Sequence, residues 1–480
     1  FSKFWKQHSD YFATVESFFR DDDVNGPDLI KSYLDSHPAD LEKMLKEVVP
    51  TELHTEIGIE EWRWVDELFS DSGVMTKVGS ELRSDLTALT EAKNDAASRE
   101  DYRKADELKR VITNILSKNL IGFLSQKNAL PKYGFPVDVV NMEIRASTQE
   151  ANNIDLSRDL QIAISEYAPE SQVVANGKLW TGRYVKRVRN RELLKYNYYS
   201  CKCGYFSKSL HIENAPYVRG CPVCGGTIKS GVYVMPDFGF VAEPKPDEPG
   251  QTRPKKTYSS RKHFSGVGAI TEEKNFTIGK GVVKLTAKNH GQLTVLNNGK
   301  GRGFLLCSYC GYGAIDKAPS THKSPDGRSC TGRFERLSLG YDFETDIIEI
   351  DLTDYFRGMD YGEGFWESLM YAIIEGVSAG LEIDRNDIDG TLYIRGAGEK
   401  SLILFDTVPG GAGHVKRLLD ETQFKLALQK AYYIVTGCDC GGENKDTSCY
   451  SCLRNYYNQY CHEKMKRGYA IKGLERILGR

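Results

Sequence analysis

The sequence predicts an α+β chain of several domains, on three observations. The first 128 residues repeat apolar side chains at three- and four-residue steps between charges. The middle is broken by Pro and Gly into short β-like runs that carry paired cysteines. Residues 346–480 alternate strand-like and helical runs, which reads as α/β. At 480 residues the chain has length for roughly three domains and for more than one core. With 40% hydrophobic and 27% charged residues it reads as globular rather than disordered. No apolar run approaches the ~18 residues of a membrane span, and no secretory signal peptide opens it. Phe1, in place of Met, begins inside an amphipathic stretch, so the chain reads as part of a longer cytoplasmic protein.

Taken in order, residues 1–128 form a helical connector or docking region. Ile57–Phe69 and Leu82–Leu124 carry the helical period, and Ser98–Arg110 reads as a largely exposed helix. The prolines and glycine of Asn128–Pro136 end it. A β-rich domain at 129–242 follows, with runs at 137–144, 171–180 and 231–235. Residues 243–274 form a basic, proline-rich linker. The β-rich segment 275–345 has runs at 275–297, 302–307 and 333–350. In 346–480, helical patterns at 362–380 and 411–434 flank strands at 391–395 and 401–406.

The net charge of −2 hides an asymmetry. Residues 1–70 carry 7 Lys/Arg against 16 Asp/Glu, a net of −9. Residues 181–262 carry 16 against 6, a net of +10. An acidic start and a basic middle suggest separate surfaces for separate partners; the plainer alternative is clustering on solvated faces.

Twelve cysteines fall mostly into three groups with short internal spacings. In a long chain such spacing indicates metal rather than a disulfide scaffold. Cys201-x-Cys203-Gly and Cys221-x-x-Cys224-Gly are two thiolate pairs on tight knuckles, the pattern of a zinc ribbon. Cys307-x-x-Cys310-Gly with Cys330 supplies three thiolates, and His322 in the intervening loop is the expected fourth ligand. The rival is an open, water-bound zinc, for which the loop offers only Asp316 and Asp326 as bases. Cys438, Cys440, Cys449 and Cys452 give a third set of four, which closes a tetrahedron and is therefore structural. Cys461 is left as a small buried hydrophobe. About three Zn2+ per chain are expected, from three such ligand sets.

Two other patterns bear on chemistry. Phe405–His414, Phe-Asp-Thr-Val-Pro-Gly-Gly-Ala-Gly-His, joins an apolar run to a helical pattern. It reads either as a phosphate-binding turn or as a tight strand-to-helix turn, across which Asp406 and His414 could meet as an acid/base pair, with no nucleophile placed by spacing. Residues 183–199 interleave basic and aromatic side chains, a mixture that tracks phosphates while rings stack on bases. Arg183, Lys186, Arg187, Arg189 and Arg191 are the candidates here, with Arg253, Lys255, Lys256, Arg261 and Lys262 in the linker. The alternative is a charged, solvated strand edge. No Walker A sequence and no Asp-Glu-x-Asp/His box occurs, so no catalytic residue is assigned and ATP would be used only by a motor domain outside this chain.

Leu404–Val415, Cys438-x-Cys440 and Ser448–Gln459, which contains Cys449-Tyr-Ser-Cys452-Leu-Arg-Asn-Tyr-Tyr-Asn, resemble the MrfA-type zinc-binding domain at the C-terminus of superfamily 2 DNA helicases. Leu124–Pro136, the Arg253–Arg261 linker and Cys307-x-x-Cys310 resemble the large helicases of bacterial anti-phage systems, of the Druantia DruE kind and related to DISARM DrmB. The resemblance covers roughly residues 120–480. It implies that Cys438, Cys440, Cys449 and Cys452 carry the family's zinc and that Cys461 lies outside that quartet. It also implies an accessory region following the motor lobes of an ATP-dependent DNA helicase or translocase. The partners would be DNA, helicase motor domains in cis or a helicase subunit in trans, and other defence proteins, with no membrane. Two further readings stand beside it: a scaffold that docks a separate motor through its acidic helices without touching DNA, and a hydrolase built on Asp406 and His414.

Overall fold

A computed structural model describes residues 9–20, 24–71, 73–127, 129–130, 138–145, 154–201, 203–211, 220–250, 254–257, 262–266, 268–359, 361–394 and 399–480. The architecture is α+β, helical at the start and β-rich in the middle. The chain divides into two compact units, residues 1–130 with 189–192, and residues 131–188 with 193–480. Among the described residues no helix is long and apolar enough to cross a membrane.

The first unit is built of helices whose ends are set by local chemistry. Gly26–Asp35 starts with a capping box, in which Asn25 Oδ1 accepts from Asp28 N (3.0 Å) and Asp28 Oδ2 accepts from Asn25 N (3.4 Å). The run Ile57–Phe69 is not one helix. Gly58 turns left-handed to close His54–Ile57, Trp62 is also left-handed, and the helix resumes only at Trp64–Phe69. Trp62 is held in place by packing: it is buried and stacks on His37 at 4.9 Å. The long helical run also breaks, into Val74–Ser98 and Tyr102–Leu116, because Asp101 caps the second helix through Lys104 N at 3.0 Å. Leu108, Val111 and Ile115 are the buried stripe of that second helix.

Among the described residues the second unit holds two large sheets and a separate two-stranded hairpin, His322–Lys323 with Ser329–Cys330. The smaller of the two large sheets has five strands, in the order Ser157–Asp159, Val139–Glu143, Phe240–Ala242, Lys178–Val185, Gln172–Ala175. The run read as one strand at 171–180 folds into a hairpin at Asn176–Gly177, where both residues have positive φ (47° and 69°). Asn-Gly is the pair that a two-residue turn of this hand requires.

The larger sheet has eleven strands organised on Phe334–Asp351. Gly281–Asn297 pairs antiparallel along most of its length, from Lys284↔Asp351 to Asn297↔Leu339. Lys400–Asp406 pairs antiparallel with its C-terminal half and carries Ile388–Ile394 beyond it. Phe304–Cys307 pairs with its N-terminal end, and Ile228–Val234 runs parallel beside Ser338 and Leu339. Within the stretch 243–274 lie the strand His263–Phe264 and the start of Ala269–Ile278.

A layer of helices packs on the C-terminal half of this sheet. Phe365–Leu381 is buried almost all round, as expected of a helix sandwiched in a core. It lies against Glu421–Thr436 at close range: a Cβ at Gly376 would sit 2.2 Å from Ala427 O. Arg467–Leu478 packs on the same pair, and Ile348, Ile350, Leu402 and Leu404 from the sheet share one core with Leu369, Ile373, Leu428 and Leu474.

Candidate metal centres

Among the described residues the structure brings together three groups of four candidate ligands, each with its ligand atoms within 4.8 Å of one another. They are Cys201, Cys203, Cys221 and Cys224; Cys307, Cys310, His322 and Cys330; and Cys438, Cys440, Cys449 and Cys452. A tetrahedral ion with metal–sulfur bonds of ~2.3 Å separates its sulfurs by about 3.8 Å, whereas a disulfide brings them to ~2.05 Å. The Sγ–Sγ separations are 3.6 Å for Cys201–Cys224 and Cys203–Cys221, 3.7 Å for Cys307–Cys330, 3.5 Å for Cys438–Cys449 and 3.6 Å for Cys440–Cys452. These are tetrahedral edges.

Each group is assembled by short-range structure. Cys201 ends the strand Lys195–Cys201, and its N–H bonds to Tyr205 O (3.0 Å), which folds the first knuckle. The second knuckle is closed by Gly225 N to Cys221 O (2.8 Å) and leads into Ile228–Val234, the strand paired with the first. In the second group a hairpin of His322–Lys323 and Ser329–Cys330 sets His322 directly opposite Cys330. Gly332 lies so close that a Cβ there would meet Cys307 Sγ at 2.5 Å. The third group hangs on the end of Glu421–Thr436, and Cys449 O accepts from Cys452 N, Leu453 N and Arg454 N in one tight turn. Buried Arg467 ties that loop down through Cys440 O (3.0 Å) and Val435 O (3.1 Å).

The donor sets fit zinc. Backbone N–H groups point at sulfur, from Tyr205 to Cys203, Gly332 to Cys330 and Ser451 to Cys449 at 3.4–3.5 Å. His322 Nε2 is buried and has no hydrogen-bond partner among the described residues, as suits an imidazole nitrogen aimed at three thiols. Burial pushes the Cys203 thiol up to about 12 and the Cys440 thiol up to about 11, while in the same sets backbone and thiol hydrogen bonds, working against burial, bring Cys221 and Cys449 down to about 7, so the thiols of a set do not all ionise together. Four thiolates therefore do not share such a space without a cation. An ion in any of the three sets would find four protein ligands, the closed arrangement typical of a structural site. Cys461 stands apart from the third set, 2% exposed within the helical core, and its Sγ–H donates to Asn458 O.

The basic residues separate into two kinds. Arg183 is committed inside the fold, to Glu243 (2.6 Å), Glu170 (3.6 Å) and Gly313 O (3.0 Å). Lys186 pairs with Glu143, Lys256 with Glu166 (2.9 Å) and buried Lys262 with Asp389 (2.8 Å). Arg187 Nη2 donates to Ser308 O at 2.7 Å. Arg189, Arg191 and Lys255 are exposed. Arg253 and Arg261 lie outside the described residues. Arg183→Ala is accordingly expected to cost about 2 kcal/mol of stability, because it leaves the Glu243 carboxylate without its partner and Glu170 with only Ile315 N; thermal or urea unfolding measures it.

The Gly-Gly-Ala-Gly turn is not open to a phosphate. Asp406, fully buried, accepts from Ala412 N (2.6 Å) and His414 N (3.2 Å) on Oδ2 and from Val415 N (3.1 Å) on Oδ1. Its carboxylate occupies the place an anion would take. Burial pushes the Asp406 carboxyl above the usual Asp range against the pull of these donors. It meets His414 through that residue's backbone N–H, which is the work of a turn clamp.

The stretch Ser448–Gln459 divides in the same way. Arg454 holds the loop through Ser448 Oγ and His462 O, and buried Asn458 bonds to Asn455 N, Leu453 O and His462 Nε2. Tyr456 and Tyr457 stay exposed. Sequence reasoning did not separate these two jobs.

Residues 369–453 match the family model described as MZB, the MrfA Zn-binding domain. Among curated proteins the chain is similar to Druantia protein DruE of Escherichia coli (strain UMEA 4076-1), with 24% identity over 464 residues, which covers 84% of this chain and 25% of that protein. The chain thus spans a quarter of that relative's length. Among solved structures, the DUF1998 helicase MrfA bound to DNA is similar at a TM-score of 0.33 and 13% identity, over 70% of this chain and 33% of that one. The same helicase bound to DNA and AMPPNP gives a TM-score of 0.25 and 11% identity, over 70% and 31%. With four thiols gathered inside and at the edge of one compact helical core, and with the matched segment spanning all four, the chain carries an MrfA-type zinc-binding domain within a sequence related to Druantia protein DruE.

Proposed function

We propose that this chain is the C-terminal accessory region of an ATP-dependent DNA helicase or translocase in bacterial anti-phage defence, acting in the cytoplasm. The observation that carries this is the similarity to Druantia protein DruE, which extends over 464 residues, well beyond the zinc-binding domain. Three zinc ions, one in each four-ligand set, would hold the loops that carry the ligands rigid. ATP belongs to motor domains outside this chain, joined in cis or met in trans. The candidates for phosphate contact are exposed Arg189, Arg191 and Lys255 and half-buried Arg187, which also donates to Ser308 O, together with Arg253 and Arg261 outside the described residues.

Fluorescence anisotropy with labelled duplex and single-stranded DNA tests this. Affinity should fall linearly with salt on a log–log scale. Reversing Arg189 and Arg191 to Glu should reduce the slope on duplex DNA by about 2, at ~0.9 per phosphate contact. Arg183→Ala should leave the slope unchanged. No binding at ~50 mM salt, or binding indifferent to the reversals, overturns the DNA contact.

One observation favours docking by the acidic helices as a second reading. Ala39–Val48 fully buries none of its side chains, and Met44 and Val48 are 60% and 81% exposed among its acidic residues. Co-purification with a helicase motor that survives nuclease, and is lost with Met44→Glu, is the expected result for that reading. Loss of the complex on nuclease treatment would refute it.

A further inference from the structure

The two halves of the C-terminal signature, far apart in sequence, meet at one cavity of about 180 Å³. Thr407 and Pro409 come from the turn after Lys400–Asp406, and Asn455 and Tyr457 from the loop after the third metal centre. Ligand pockets for drug-sized or cofactor-sized molecules run to ~300–1,000 Å³. This one has room for a single planar ring system.

Its two cations are each matched by a carboxylate, and a further carboxylate, Asp159, lines it with Oδ1 accepting from Gln161 N (3.0 Å). Lys262 and Asp389 form a buried ion pair at 2.8 Å, and the other Asp389 oxygen accepts from Gly390 N at 2.8 Å. Arg385 is engaged by Glu375 (2.5 Å) and by Ile388 O (3.0 Å). A site so neutralised has little to offer a free phosphate or carboxylate. Polar capacity is nevertheless left over. Arg385 Nη2 is buried without a hydrogen-bond partner among the described residues. Asn455 Oδ1 is occupied by Tyr457 N and Asn458 N, which leaves its NH2 end. Asn386, exposed, lines the same cavity. At the rim Tyr457 is 46% exposed, with Tyr456 edge-on to it at 5.4 Å, on a loop made rigid by buried Asn458. A neutral, planar ligand with hydrogen-bonding edges answers all three features: a ring to stack on, unpaired polar groups and no net charge.

We infer that this cavity receives one unpaired nucleobase of a nucleic acid strand, stacked on Tyr457 with its polar edge toward Arg385, Asn386 and Asn455. This rests on the DNA contact proposed above and deepens it, since it assigns recognition of a base where the exposed cations recognise only backbone.

The test uses the full chain as purified and two labelled single strands of equal length and charge, one with bases and one made wholly of abasic residues. The chain should bind the base-bearing strand about 10-fold tighter, the range of one base–aromatic stack. Tyr457→Ala should abolish that preference and leave abasic affinity and melting temperature unchanged; Tyr457→Phe should keep it. Equal affinity of the unmodified chain for both strands, or a preference that survives Tyr457→Ala, overturns the base pocket while the DNA contact stands. Binding of neither strand overturns both.

Discussion

Cys452→Ser is expected to lower the zinc content of the purified chain by one ion and to destabilise the second unit by several kcal/mol. Binding of a structural zinc contributes ~10–16 kcal/mol in small zinc domains, and that energy is folding energy. Here the ligand is 1% exposed and its neighbours are the helices that cover the large sheet, so the loss reaches the main core. His322→Ala should likewise remove one ion, from the second centre. The control is Cys461→Ser, a buried thiol outside every cluster, which should keep the full zinc content. Atomic emission on purified protein together with urea unfolding decides the matter. Unchanged zinc in Cys452→Ser, or fewer than about two zinc per chain in the unmodified protein, would contradict three structural centres.

Asp406→Ala is expected to cost about 4 kcal/mol, which makes it one of the most damaging single changes outside the metal centres. Three backbone N–H groups lose their acceptor, one of them buried and two in the half-buried turn, at ~1–3 kcal/mol each. Asp406→Asn should cost less, because one amide oxygen still accepts while the NH2 opposes a donor. Both variants, assayed at a temperature where they remain folded, should bind DNA like the unmodified chain. Stability within ~1 kcal/mol of the parent would show that the clamp is not what holds the turn. Loss of a hydrolytic activity with stability intact would restore the acid/base reading of Asp406 and His414.

Much of the clustering of the candidate ligands was legible in the sequence. A thiol pair one or two residues apart sits on one knuckle whatever the fold around it, so Cys201 with Cys203, or Cys449 with Cys452, needs only local backbone to converge. Even His322 followed from counting, since three thiols lacked a fourth ligand. The hairpin that sets it against Cys330 spans only nine residues. Helix breaks were less legible. The helical period runs through Gly58 and through Asp101, and it is a left-handed residue in one case and a side-chain cap in the other that interrupts it. The Asn176–Gly177 hairpin had its signal in plain view, but the flanking β-like residues hid the turn between them.

The sequence by itself pointed to which Cys and His side chains cluster, to the α+β class and to the basic character of the middle, because each depends on residue type and short spacing. The tertiary structure alone decided what most of the charges do. Arg183 meets Glu243 60 residues away, Lys256 meets Glu166 at 90 and Lys262 meets Asp389 at 127, so cations that look available in sequence are neutralised inside the fold. The same long-range path turned Asp406 from a candidate catalyst into a clamp on its own turn, and brought Arg385, Asp389 and Tyr457 to one cavity. Local spacing sets which groups a chain offers; the large sheet and its helices set which of them find partners and which are left facing solvent.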